Sequence, residues 1–69
     1  MSRRFQFISG NSSKFWEVDK YQNHVTVRFG RIGTDGQTQT KTLADAASAA
    51  KHAEKQINAK LQKGYVEVT

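Results

Sequence analysis

The feature that most constrains this chain is a change of hydrophobic period near residue 44. Before it, apolar side chains recur every second residue. Val25, Val27 and Phe29 point one way and His24, Thr26 and Arg28 the other, which is the pattern of a half-buried strand over about residues 24–32. After it, Ala46, Ala50, Ala53, Ile57 and Leu61 recur at steps of three and four, the stripe of an amphipathic helix. Phe5 and Phe7 alternate with Arg4, Gln6 and Ile8 in a first strand, residues 3–8. In a second, residues 14–20, Trp16 and Val18 share one face, with Phe15, Glu17 and Asp19 on the other. On this alternation Trp16 is a core residue, whereas Phe15 is either exposed or covered by the N-terminal strand or tail. The threonine-rich residues 37–43 suit an edge strand, and residues 65–68 a closing strand or extended tail.

Punctuation supports these divisions. Residues 9–13 are turn formers, residues 21–23 make a short hairpin connection, and Asp35-Gly36 is the strongest turn pair. Thr42 and Asp45 have capping-box spacing ahead of the helix, and Gly64 suits its end, with Lys60 and Lys63 near the negative pole of its dipole. The expected fold class is α+β: an antiparallel sheet with one C-terminal helix packed on one face, a single domain over residues 1–69. A chain of 69 residues buries only roughly 60% of its unfolded surface. Without cysteine no disulfide can reinforce it.

The same inventory narrows function. With no cysteine, and with His24 and His52 lacking ligands at metal spacing, no metal or cofactor is expected. The few scattered carboxylates suggest no acid–base pair, so an enzyme is not expected. No apolar stretch approaches the ~20 residues of a membrane span. Met1-Ser2-Arg3-Arg4 is followed by an apolar stretch too short for a signal peptide, so the expected location is cytoplasmic. Eleven basic and six acidic residues give a net charge of +5, which favours an anionic partner.

The stretch Arg28-Phe29-Gly30-Arg31-Ile32-Gly33 unites an aromatic ring, two arginines and two glycines at a strand end. Alternation puts Phe29 and Arg31 on one face with Gly30 between them. A ring beside a guanidinium fork suits a sugar or base together with a phosphate, and the glycine permits close backbone approach. On spacing alone, Phe29 reads first as the last core residue of its stripe, with the Arg31 stem shielding its edge. Lys41 is placed near the third strand by hairpin pairing and would extend a basic patch with Arg28. Lys51 and Lys55 read as a solvated outer helix face.

Phe29-Gly30-Arg31-Ile32-Gly33 resembles the W-G-R-[VI]-G signature of the WGR domain family. The likeness extends to Asn11-Ser12-Ser13-Lys14-Phe15-Trp16-Glu17-Val18, to Gln37-Thr38-Gln39-Thr40-Lys41-Thr42 and to Lys60-Leu61-Gln62-Lys63-Gly64-Tyr65, in the family's order. The signature tryptophan is Phe29 here, and Leu61 replaces the usual threonine. The resemblance implies a sheet backed by one helix. In poly(ADP-ribose) polymerases the domain contacts DNA at a break, and bacterial members also occur alone. Carried over by position, Phe29 is the stacking group, Arg31 the signature arginine, Arg28 a backbone contact and Asn11 a polar contact. The implied partner is nucleic acid, with DNA ends favoured over RNA. The alternative is a protein-interaction module using the same face or a sheet edge.

Overall fold

A computed structural model describes residues 2–68; Met1, the first residue of the weighed leader segment, lies outside them. Five strands form one antiparallel sheet: β1 (Ser2–Ser9), β2 (Ser12–Tyr21), β3 (His24–Arg31), β4 (Gln37–Thr42) and β5 (Val66–Val68), in the order β4-β3-β2-β1-β5. One helix, α1 (Ala46–Gln62), packs across β2 and β3. The α+β architecture expected from the change of period is therefore the observed one. The final segment resolves as a strand, with Val66 opposite Gln6 and Val68 opposite Arg4.

The core lies between α1 and one sheet face. Phe5, Trp16, Val18 and Val25 meet Ala49, Ala53 and Ile57, with Val27, Phe29, Leu43 and Tyr65 packed at its margin. Phe5 and Trp16 sit opposite each other in register, their rings 5.6 Å apart. The alanines let the helix approach the large aromatic and branched side chains of the sheet. The buried stripe begins at Ala49, and both Ala46 and Ala50 are exposed, so the helix is rotated from the expected stripe. Leu61 is also exposed. Only Ala53 and Ile57 of the five expected positions are buried.

Both helix ends are satisfied locally. Asp45, rather than Thr42, is the N-cap: its carboxylate accepts from the Ser48 N–H at 2.7 Å, and this bond holds the Asp45 pKa below its ordinary value. Thr42 instead ends β4, opposite His24, with its hydroxyl 2.9 Å from the His24 Nδ1. At the other end Gly64 adopts φ +104°. The Gly64 N–H donates to Leu61 O and the Tyr65 N–H to Lys60 O, a Schellman closure that returns the chain to the sheet. Gly64 rests against Phe7, whose ring lies 5.4 Å from that of Tyr65.

The face away from the helix has its own small buried cluster. Phe15 is only 1% exposed although it points away from the main core. Arg4 from β1 and Arg28 from β3 lie over its ring, at 4.7 and 5.2 Å from the centroid, and both guanidinium groups bond to Glu17. The turn after β3 closes the remaining side. At Gly36, which has φ +70°, a Cβ would stand 2.8 Å from Phe15 Cζ and would also meet the Phe29 carbonyl.

A candidate nucleic-acid interface at the end of the sheet

Register determines which side chains gather beyond the C-terminal end of α1. Cross-strand partners share a face, so the pairings Phe7–Lys14, Lys14–Arg31 and Trp16–Phe29 put these residues on the helix side of the sheet. The tight turn between β1 and β2 brings Asn11 to the same end. Tyr65 folds back from α1 and carries the helix terminus with it. The result is an open hollow of about 440 Å³, lined by Asn11, Ser12, Ser13, Lys14, Phe15, Phe29, Gly30, Arg31, Lys60 and Tyr65.

Its electrostatics are one-sided. Among the described residues no carboxylate lines the hollow. Lys14 and Arg31 face each other directly across β2 and β3, an arrangement that disfavours the fold. Lys60 is half-buried, with its ammonium 5.7 Å from the Trp16 ring and 5.2 Å from that of Tyr65. Burial, followed by the positive charges of Lys63 and Lys14, holds the Lys60 pKa below the ordinary lysine value. The helix dipole explains cations at 60 and 63. It does not explain Lys14 and Arg31, which belong to strands. Among the described residues, no ion pair involves Lys14, Arg31, Lys60 or Lys63.

Four of the six expected contact residues, Asn11, Phe29, Gly30 and Arg31, line this hollow. Phe29 is half-buried, packing against the core while forming part of the wall of the hollow. Gly30 differs from expectation in its reason. A Cβ there would lie 2.8 Å from the Gly36 backbone, so the space its missing side chain leaves is already occupied by the following turn.

Arg28 and Lys41 lie elsewhere, and on opposite faces from each other. Arg28 pairs in register with Thr38 on the face away from the helix, bonded to Glu17. Lys41 pairs with Val25 on the helix side and borders His52 and Gln56. The joint Arg28–Lys41 patch therefore does not form, because an odd register difference separates them. Sequence reading left Lys14, Lys60 and Tyr65 out of the site. The family-like segments around residues 14 and 60–65 were the available signal, but only strand register, the packing of α1 and the closure at Gly64 place them beside Arg31.

Comparison with known proteins agrees with this architecture. The WGR domain family model matches residues 1–69. The protein YehF of Escherichia coli K12 is 43% identical over 94% of this chain and 24% of its own length, and the uncharacterized protein YfeS of the same strain is 37% identical over 97% and 28%. The chain thus spans about a quarter of the length of these relatives. A crystal structure of a Bacteroides fragilis protein superimposes over the whole chain with a TM-score of 0.97 at 46% identity, covering 20% of that protein. The chain belongs to the WGR domain family, a family of binding modules whose usual ligand is nucleic acid.

Proposed function

We propose that this domain binds the backbone and 5′-phosphorylated ends of DNA through the hollow, without reading base sequence. The observation that carries this reading is the opposition of Lys14 and Arg31 across two strands, reinforced by Lys60 and with no acid among the lining residues. A chain tolerates such repulsion where an anion compensates it. Phosphate neutralises the cations, Phe29 offers its ring to the terminal sugar, and Asn11 offers polar contacts at the rim. Base reading is not part of the proposal, because α1 buries its inner stripe against the sheet and presents Lys51, Glu54, Lys55, Asn58 and Gln62 outward, a mixed surface unlike a groove-reading helix.

The test is a titration with a blunt duplex, with and without a 5′ phosphate, at two salt concentrations, for the wild type and Arg31→Ala. The expected result is tighter binding to the phosphorylated duplex, weakened by salt and by the substitution. Each phosphate contact contributes a slope of about −0.9 in log affinity against log salt. A second reading, protein docking by strand addition, is favoured by β4, an edge strand with all six residues exposed. No duplex binding, or weak binding indifferent to the phosphate and to Arg31, would favour that reading instead.

A further inference from the structure

We propose that Lys60 is a site of covalent acylation by acyl phosphates, with Lys14 and Arg31 receiving the donor's phosphate while the Lys60 amine attacks its carbonyl carbon. The chemistry needs an amine shifted toward its free form, an adjacent anion site and an open approach, and the hollow brings these together. Lys60 borders the same cavity as Lys14 and Arg31. The Trp16 and Tyr65 rings flank its ammonium at 5.7 and 5.2 Å; they hold the head of this flexible side chain in place, and the same contacts oppose loss of its charge. Partial burial and the neighbouring cations Lys63 and Lys14 favour the free amine, the two conditions that turn lysines into nucleophiles. The Tyr65 ring also lies against the Lys60 ammonium, and among the described residues no carboxylate lines the cavity to restore the charge.

In the reaction the Nζ–C bond forms and the C–O bond to phosphate breaks. Phosphate leaves with the bonding pair, and the proton released by the amine passes to it or to water. No oxidant or reductant is required. The product amide is uncharged and leaves Lys14, Arg31 and Lys63 as they were. The proposal depends on the cavity's affinity for a phosphate group and not on nucleic acid as its partner. If the DNA reading also holds, acylation weakens that binding by removing one cation.

The experiment is incubation of the protein with acetyl phosphate, without nucleic acid, followed by peptide mass spectrometry at each lysine. Lys60 should acetylate several-fold faster than Lys51 and Lys55 on the outer helix face. Added inorganic phosphate should slow Lys60 and leave Lys51 unchanged. Lys14→Gln should slow Lys60 more with acetyl phosphate than with uncharged 4-nitrophenyl acetate, which separates donor docking from the amine's own reactivity. Acetylation of Lys60 no faster than that of Lys51 and Lys55, or a Lys60 rate insensitive to inorganic phosphate, would overturn the proposal. DNA binding is measured separately, by the duplex titration.

Discussion

Two clusters of cations lie on opposite sides of one sheet, and they differ in what neutralises them. Away from the helix, Arg4 and Arg28 stack on Phe15 and share Glu17, so charge and aromatic surface are both satisfied inside the fold. At the hollow, Lys14 and Arg31 oppose each other, Lys60 joins them, and no acid among the described residues lines it. The first cluster builds a lid over a buried ring. The second leaves charge available to something outside the molecule. Basic residues in a small basic domain are therefore not equivalent evidence for an anionic ligand; the distinction lies in their partners.

The comparison breaks most sharply at Phe15. Phe15→Ala should destabilise the protein by about 3–5 kcal/mol, since it empties a fully covered site. Urea unfolding followed by circular dichroism measures this. Gly36→Ala attacks the same lid from the turn, combining an unfavourable φ with collision against Phe15 and the Phe29 carbonyl. It should cost about 1–3 kcal/mol in the same assay. Glu17→Gln leaves both arginines without their acid. Glu17, at 24% side-chain exposure, stands between surface and interior, and the expected loss is about 1 kcal/mol.

The hollow should behave in the opposite sense. Lys14→Gln relieves a cross-strand repulsion, so unfolding should show unchanged stability or a gain of a few tenths of a kcal/mol, about the size of such pair effects. The smallest effect concerns Arg3 and Glu67, an exposed pair at 2.6–2.8 Å. The hydrogen bond from Arg3 lowers the Glu67 pKa. Its contribution is therefore present above the ordinary glutamate value, about pH 4.3, and lost as pH falls through the lowered folded value. Arg3→Gln should remove that shallow part of the acid-unfolding profile.

Strands were legible in the sequence because alternation needs only neighbouring residues: Val25-Thr26-Val27-Arg28-Phe29 states which side is buried. The helix was legible, but its rotation was not. Alanines at 46, 47, 49, 50, 53 and 59 surround it almost evenly, so only packing against Trp16 and Val25 selects Ala49 over Ala46 and Ala50. The cover on Phe15 consists of two arginines, which no hydrophobic pattern counts as a lid. The site was legible where it is linear, from Phe29 to Arg31. Lys14 becomes its neighbour only through the β2–β3 register, Lys60 only through the packing of α1 on the sheet, and Tyr65 only through the turn at Gly64.

The most direct test of this division compares salt dependence for Lys14→Gln and Arg28→Gln on one 5′-phosphorylated blunt duplex. Lys14→Gln should reduce the slope of log affinity against log salt by about 0.9, the loss of one phosphate contact, while Arg28→Gln should leave the slope at its wild-type value. An Arg28→Gln slope reduced as much as that of Lys14→Gln, or a Lys14→Gln slope equal to wild type, would contradict the assignment of binding to the unpaired cluster.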